Sequence, residues 1–465
     1  MNIYLETLGC QMNRLDSELI VGSLQSAGHD MVSDPRDADV VLYNTCSVRE
    51  HAEQKVLSRL GIDARRKRAR VHRPLIVGVL GCMAQRYGRK LARQYKVVDI
   101  VCGPGQIAAL PQMIAEAAAK NAPVVAVDPA RSQPRDRDAE KAIDALDLFR
   151  SPMADSPGNA QAFVRVARGC DHFCSYCIVP YVRGPERSRR PDHVVEEVRR
   201  LVDAGRSEVT LLGQTVNRYR WQNGETTVHF SDLLQRVSDT PGLRRLRFVT
   251  SYPLDFGDDI LHAMAELPNV CEYIHMPAQS GSDAVLARMN RKYSRAQYDD
   301  LVDRARDIVP GVALAGDFIV GFPGETEDDH QASADLIRRS GYKNCFVFKY
   351  SPRPGTHAAR RYPDDVPEDV KKRRNNELLA AQNEAGLAHH RRFVGQRVEV
   401  LVEGPSAMAA KNAPAVAGEV QLSGRTRGDH IVVFDGPETL AGRYVQVRVT
   451  DATNITLLGE RCRQA

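Results

Sequence analysis

Three cysteines, Cys170, Cys174 and Cys177, stand four and then three residues apart in Arg168-Gly-Cys-Asp-His-Phe-Cys-Ser-Tyr-Cys-Ile-Val-Pro-Tyr. A single loop with those gaps can wrap three thiolates around a cubane iron–sulfur cluster. Such a cluster normally takes four thiolates, so three leave one iron open to bind and activate a substrate. Zinc is the rival reading. Structural zinc sites pair one C-x-x-C with a distant second pair, and the chain has no second C-x-x-C.

A second set of thiols is spread over the first part of the chain. Ile3-Tyr-Leu-Glu-Thr-Leu-Gly leads into Cys10, Asp39-Val-Val-Leu-Tyr-Asn-Thr into Cys46, and Pro74-Leu-Ile-Val-Gly-Val-Leu-Gly into Cys82. The intervals are 36 residues each, a plausible strand–helix repeat. In a parallel sheet the carboxyl ends of the strands share one edge, where ligands bind. Three cysteines remote in sequence are therefore expected to converge there, as another three-thiolate site one ligand short of saturation. The plainer reading is three unrelated small residues at strand ends. Cys102 ends a further apolar run, Val97-Val-Asp-Ile-Val, and reads as a buried thiol rather than a fourth ligand. Gly103-Pro-Gly-Gln-Ile-Ala matches a dinucleotide fingerprint weakly. No acidic residue closes an apolar run about 20 residues later, and Asp128 lies in irregular sequence, so dinucleotide binding is rejected.

The elements that must position these groups give an α/β fold class in three parts. Residues 1–120 alternate short apolar runs with helical patterns and read as a parallel α/β domain. Residues 121–158 turn polar and rich in Pro, Ser, Arg and Asp, a linker with a short amphipathic piece near Ile143 to Phe149. Residues 159–388 repeat strand then helix, with strands expected at Ala162–Ala167, Glu208–Gly213, Arg247–Thr250, Tyr273–Met276, Leu314–Val320 and Cys345–Tyr350. That pattern predicts a partial (β/α)6 barrel with its chemistry at the carboxyl strand ends. The Cys170 loop follows the first of these strands, whereas Cys271 and Cys345 begin strands at the opposite rim and read as core. Residues 389–465 alternate in four strand-like runs and predict a small antiparallel β-barrel, with an extended loop from Pro405 to Pro414 and Cys462 in a polar tail.

Bulk composition narrows the class. Of 465 residues, 43% are hydrophobic and 26% charged, ordinary for a protein with a sizeable core. No apolar run approaches the ~20 residues that cross a bilayer, and the start lacks the features of a signal peptide. A cytoplasmic protein without membrane partners is expected, its ten cysteines reduced ligands or buried thiols. The net charge of +5 (64 basic minus 59 acidic) permits RNA binding without arguing for it. Arg59, Arg65, Arg66, Lys67, Arg68, Arg70 and Arg73 share their stretch with one acid, Asp63, and read either as phosphate contacts or as a solvated helix end. From Ala388 onward ten basic and eight acidic side chains leave a net of only +2. Lys371-Lys-Arg-Arg reads as a solvated helix face.

Cys-x-x-x-Cys-x-x-Cys is the radical S-adenosylmethionine signature, and the resemblance extends over nearly the whole chain. Leu8-Gly-Cys-Gln-Met-Asn, Asn44-Thr-Cys-Ser-Val-Arg-Glu, Gly81-Cys-Met-Ala-Gln, Cys177-Ile-Val-Pro-Tyr, Leu212-Gly-Gln-Thr-Val-Asn, Gln279-Ser-Gly-Ser and Asp317-Phe-Ile-Val-Gly-Phe-Pro-Gly-Glu-Thr resemble the tRNA methylthiotransferases. The Thr-Cys-Ser-Val-Arg-Glu string looks most like the MiaB type. The resemblance implies an N-terminal domain with an auxiliary cluster on Cys10, Cys46 and Cys82, a radical core with its cluster on Cys170, Cys174 and Cys177, and a TRAM-like RNA-binding barrel. It implies two 4Fe-4S clusters and S-adenosyl-L-methionine as cofactors, with Tyr176, Gly213, Gln214, Ile319, Gly321, Gly324 and Glu325 on the cofactor side.

The implied reaction is methylthiolation of carbon 2 of an isopentenylated adenine at tRNA position 37. One S-adenosylmethionine would give a methyl group to sulfur on the auxiliary cluster, and a second would give the radical that removes hydrogen. The implied partners are the tRNA anticodon loop, an electron donor such as flavodoxin or ferredoxin, and a sulfur or cluster donor protein. Arg187, Arg189 and Arg190, after the first cluster loop, are candidates for RNA phosphate or cofactor contact, and Arg65, Arg66 and Arg68 for RNA. Tyr252, in Thr-Ser-Tyr-Pro, departs from the His of the family pattern. The alternatives are a threonylcarbamoyladenosine tRNA or a ribosomal protein aspartate as substrate, or a non-enzymatic iron–sulfur carrier. The carrier needs no cofactor pocket, so Tyr176 and the Gly321–Glu325 turn speak against it.

Overall fold

The computed structural model describes residues 1–48, 50–69, 75–120, 122–129, 137–150, 160–409 and 418–462. It divides into two compact units, the first comprising 1–153, 163–173 and 177–197, and the second 154–162, 174–176 and 198–465.

The first unit is built on a six-stranded parallel sheet. Its strands are β1 (Asn2–Leu8), β2 (Asp30–Met31), β3 (Val40–Thr45), β4 (Ile76–Gly81), β5 (Ile100–Cys102) and β6 (Val124–Ala126), in the order β2-β1-β3-β4-β5-β6. Strands β3 and β4 are buried throughout, which explains their near-continuous apolar sequence. β6 lies past the domain end expected at residue 120, because Val124–Ala126 pairs in parallel with β5. The expected linker also holds more structure than a short amphipathic piece. A helix covers Arg137–Phe149, and its Asp147 is fully buried, taking the Arg165 guanidinium at 2.7 Å. Strand β7 (Gln161–Arg165) begins in the second unit and ends in the first, and β8 (Ala167–Arg168) pairs antiparallel with β9 (Arg187–Ser188) in the first.

The second unit carries β10 (Glu208–Leu212), the hairpin β11 (Arg220–Asn223) and β12 (Thr226–His229), then β13 (Arg245–Val249), β14 (Tyr273–His275), β15 (Ala313–Val320) and β16 (Asn344–Lys349). All six expected barrel strands are present, in two three-stranded sheets ordered β13-β10-β7 and β14-β15-β16. A thin seam joins them, with one bridge between Leu246 and Val270 and the Ser251 N–H donating to the His275 carbonyl at 3.1 Å. Cys271 and Cys345 are buried as expected, the Cys345 thiol donating to Gln382 Oε1 at 2.7 Å. Gln382 lies on the long helix Glu368–Arg391. The expectation of a solvated face at Lys371–Arg374 holds for Lys372 and Arg373, which are exposed, and fails for Lys371 and Arg374, which are buried and paired to Asp364 at 2.5 Å and Glu325 at 2.8 Å. Only the charge run was visible in sequence, not the carboxylates that fold back onto it.

The C-terminal strands β17 (Arg397–Pro405), β18 (Val420–Arg425), β19 (Ile431–Gly436), β20 (Tyr444–Ala452) and β21 (Thr456–Arg461) close into a barrel, ordered β17-β18-β19-β21-β20. Sequence periodicity found four of them and missed β21, whose Gly459 and flanking charges dilute the alternation. Cys462 is no loose tail, since its N–H donates to the Gln446 carbonyl at 2.8 Å. Of the loop expected from Pro405 to Pro414, residues 410–414 lie outside the described residues. Among the described residues no helix is long and apolar enough to cross a membrane.

Buried arginines tie this small barrel to the larger one. Arg245 and Arg247 on β13 pair with Glu208, and donate to the carbonyls of Glu399, Arg425, Thr426 and Arg427. Lys343 reaches Asp429 at 2.9 Å, and burial pushes this lysine down to about 8 while Asp429 holds it up. Asp429→Asn is expected to leave a buried cation unpaired and to lower the stability of this unit by about 2 kcal/mol at neutral pH, less than for a fully buried pair because Asp429 keeps some solvent contact. Urea unfolding followed by the fluorescence of the single tryptophan, Trp221, measures it.

Candidate iron–sulfur and cofactor sites

The first three thiols converge as the repeat predicted. Cys10, Cys46 and Cys82 follow β1, β3 and β4, which are neighbours in register, with Leu8 opposite Thr45 and Thr45 opposite Gly81. Two glycines permit the approach. A Cβ on Gly9 would stand 2.7 Å from the Cys46 Cβ, and one on Gly81, at φ +82°, would stand 2.4 Å from Asn44 Oδ1. The strand ends are laced by buried amides: Asn13 Nδ2 donates to Asn44 Oδ1 at 3.0 Å, and Asn44 Nδ2 to the Asn13 carbonyl at 2.9 Å.

The electrostatics favour the thiolate at Cys10 and the neutral thiol at Cys46 and Cys82. A hydrogen bond from Cys46 holds the Cys10 thiol down to about 6, helped by the charge of Arg183. The same interaction raises Cys46. Burial raises Cys82, opposed by Arg183, whose Nε lies 3.2 Å from Cys82 Sγ. The Val48 N–H donates to Cys46 Sγ at 3.2 Å, the kind of sulfur hydrogen bond that tunes bound clusters. The other arm of Arg183 holds Asp16 at 2.8 Å, and Asp16 in turn holds Arg165 at 2.8 Å. None of the ten cysteines is joined in a disulfide. Three thiols on one strand edge, one cation among them and no room for a Cβ at Gly9 or Gly81 fit a cluster with one iron left open. Cys102, at the end of β5, is fully buried and its thiol is pushed up by burial, as expected of a core thiol.

The Cys170 loop is shaped by backbone. Gly169, at φ +77°, leaves no room for a Cβ, which would lie 2.0 Å from the Pro185 carbonyl oxygen. The Cys170 N–H donates to the Gly184 carbonyl at 3.1 Å, and the Val179 N–H to Cys177 Sγ at 3.4 Å. Phe173 adopts φ +49°, a conformation uncommon outside glycine.

Cys174, Ser175 and Tyr176 belong to the second unit. Ser175 is clamped there, its N–H donating to the Met289 carbonyl and its Oγ to the Arg288 carbonyl, both at 2.8 Å. Arg291 is the residue that sequence reading missed. It is buried, with NH1 3.4 Å from Cys174 Sγ, NH2 donating to the Pro277 carbonyl at 2.9 Å and Nε to Tyr293 Oη at 3.0 Å. Its guanidinium lies 4.4 Å from the Tyr252 ring centre and 5.0 Å from that of Tyr293. The Tyr252 departure thus has a place, as one wall of the slot that aims this cation at a cysteine. No spacing rule marks Arg291, since Asn-Arg-Lys-Tyr reads as a turn.

The expected cofactor residues divide. Tyr176 and Ile319 pack on one apolar cluster with Phe322, the Tyr176 and Phe322 rings meeting edge to face at 6.5 Å. Gln214 Oε1 is buried with no donor among the described residues. Gly213 packs tightly on Val216, with a would-be Cβ 3.2 Å from its Cα. Glu325 serves the turn instead: its carboxylate accepts the Gly321 N–H at 2.6 Å and Arg374 at 2.8 Å. Gly321 (φ +69°) leaves its space to the stem of Lys371, and the Gly324 N–H donates to Asp365 at 2.8 Å.

Two expected RNA contacts are withdrawn. Arg189 is buried in an ion pair with Glu197 at 2.6 Å. Arg66 pairs with Asp63 at 2.6 Å, and Lys67 with Asp99 at 2.5 Å. A run of basic residues on a helix cannot show which turn faces an acid. Arg65, Arg68, Arg187 and Arg190 are exposed, and Arg70 and Arg73 lie outside the described residues.

Two changes test these sites. Gly9→Ala is expected to push Cys46 aside and to cut iron per chain by about half relative to the two-cluster protein, measured by iron quantitation after anaerobic reconstitution. Arg291→Gln removes a cation beside Cys174 and is expected to shift that cluster's midpoint potential negative, followed by EPR-monitored redox titration, while Arg291→Lys retains most of the wild-type value.

Residues 2–103 match the family described as "Uncharacterized protein family UPF0004", residues 164–337 the radical SAM superfamily and residues 391–461 the TRAM domain. A relative from Rhodopirellula baltica is 44% identical over 457 residues, covering 98% of this chain and 95% of its own. One from Moorella thermoacetica is 44% identical over 456 residues, covering 98% and 97%. Both are named tRNA-2-methylthio-N(6)-dimethylallyladenosine synthase. Among solved structures, the radical S-adenosylmethionine methyltransferase TsrM from Kitasatospora setae, with cobalamin and a [4Fe-4S] cluster bound, shares the fold at a TM-score of 0.56 and 16% identity, over 77% of this chain and 74% of that one. With near full-length relatives at this identity and all three domain matches in order, the chain belongs to the radical SAM tRNA methylthiotransferase family.

Proposed function

We propose that this protein places a methylthio group on carbon 2 of N6-isopentenyladenosine at tRNA position 37, consuming two molecules of S-adenosylmethionine. The observation that carries the reading is the presence in one chain of two separate three-cysteine sets, one gathered at β1, β3 and β4 and one on the Cys170 loop. Sulfur insertion needs both a sulfur source and a means of activating a carbon–hydrogen bond, and one cluster site cannot serve both. When bound, the two clusters and S-adenosylmethionine supply the sulfur, the methyl group and the reducing electron.

The remaining work falls to side chains. Cys10, Cys46 and Cys82 hold the auxiliary cluster, with Arg183 offsetting the charge of its thiolates. Cys170, Cys174 and Cys177 hold the other, with Arg291 fixed beside Cys174. Tyr176 and Ile319 give the adenosyl group an apolar surface, and Gln214 Oε1 offers it an acceptor. Selectivity comes from proximity and orientation, and the adenine leaves its loop stack to reach the site. The partners are tRNA through the anticodon loop, a flavodoxin- or ferredoxin-like reductant and a sulfur or cluster donor, all in the cytoplasm.

Anaerobically reconstituted protein, incubated with isopentenylated tRNA, a reductant and S-adenosylmethionine, is expected to yield the methylthio nucleoside after digestion. Product appearing instead on threonylcarbamoyladenosine tRNA would overturn the substrate. Cys46→Ala and Cys174→Ala are each expected to abolish product, and only Cys174→Ala to abolish reductive cleavage of S-adenosylmethionine.

A further inference from the structure

The sheet β14-β15-β16 has one face covered by helices and one open. Cys345 and Val347 on β16 face the helix Glu368–Arg391, through the Cys345–Gln382 contact and the bond from Asn375 Nδ2 to the Val347 carbonyl at 3.1 Å. Gly316 and Phe318, opposite them in register, pack on Tyr342. Side chains alternate along a strand, so Phe346 and Phe348 point to the other face, beside Asp317 and Ile319 in register. His275, in register with Ala315, shares that face, and its Nε2 lies 3.2 Å from Asp317 Oδ1. Phe346 and Phe348 are 50% and 39% exposed, unusual for two aromatic rings on the interior side of a barrel sheet. Their rings are inclined by only 22°, with centres 6.4 Å apart, so two near-parallel aromatic rings stand side by side on one face of the strand.

That surface is continuous with the cofactor side. Ile319, next to Phe348 in register, packs on the cluster that holds Tyr176. A ligand resting there needs a planar apolar body to cover the rings and a polar edge to meet Asp317 and His275. A nucleobase has both, and base–aromatic stacking is the usual way a protein holds a base taken out of its strand.

We propose that Phe346 and Phe348 form the stacking platform for the adenine that is modified, with the isopentenyl group lying along the same apolar strip and Asp317, paired with His275, accepting from an N–H of the base. This inference rests on the substrate proposed above and adds the surface that recognises it. Phe346 and Phe348 are positioned to make specificity, since an adenine bearing a polar N6 substituent loses the apolar strip.

The test uses the full chain with both clusters and an isopentenylated anticodon stem-loop. Phe346→Ala and Phe348→Ala are each expected to raise the KM for the stem-loop about tenfold, in line with the loss of one base stack, and Phe348→Trp to restore it. Iron content equal to wild type controls for folding. A second stem-loop carrying 2-aminopurine at the target position reports stacking directly: its fluorescence change on binding is expected to be lost in both alanine variants and kept in Phe348→Trp. Wild-type protein that gives no methylthio product overturns the substrate reading. Wild-type protein that gives product while both alanine variants match it in KM overturns the platform, as does a 2-aminopurine signal that changes on binding equally in wild type and both alanine variants.

Discussion

The first unit depends on how buried charge is arranged around one cysteine. Arg183 lies between Asp16 and Cys82, Asp16 also holds Arg165, and Arg165 also holds Asp147. Each of these groups is almost wholly removed from water, which is costly unless every charge has a partner of opposite sign. Acid and base alternate along the chain of contacts, and the thiol of Cys82 is its last member. The residues come from a sheet-flanking helix, from the segment expected to be linker and from both sides of the Cys170 loop. The Arg183 guanidinium at that end lies against the Cys82 sulfur, where it would offset the charge of a ligating thiolate.

Backbone economy follows the same pattern of crowding at functional edges. At Gly9, Gly81 and Gly169 a side chain would strike a neighbouring cysteine, amide or carbonyl, so the thiol-bearing turns are packed to the limit of what a backbone allows. In the second unit Thr250 and Gln279, at φ +71° and +72°, stand where the chain leaves β13 and β14. Non-glycine residues held there cost about 1–3 kcal/mol each and persist where surrounding structure fixes them. The opposite rim of the same strands is spent on stability instead, with Arg245, Arg247 and Lys343 gripping the C-terminal barrel. That division matches the rule that barrels place chemistry at one strand end and structure at the other.

The six proposed cluster ligands were legible because thiols are rare and their spacing is constrained by geometry. The Cys170 loop needs only local sequence, and the 36-residue recurrence of Cys10, Cys46 and Cys82 needs only a regular βα repeat. The six barrel strands were legible for a similar reason, since buried parallel strands read as apolar runs. Periodicity was less informative past residue 120. β6 is three residues long, and β21 alternates weakly, so neither rises above loop sequence.

Sequence alone settled which residue types were present and which stood close along the chain: thiol triplets, glycine turns, strand-like runs and their order. Tertiary structure alone decided the sign and solvent exposure of each charge's neighbours. Arg189 and Arg66 looked like phosphate contacts and are held in ion pairs, Arg189 buried and Arg66 half-buried, while Arg291, unremarkable in its run, lies against Cys174. Glu325 looked like a cofactor contact and closes its own turn. A long flexible side chain finds its partner across many residues of sequence, so its role depends on which elements pack together, whereas a short thiol at a strand end acts where the backbone places it.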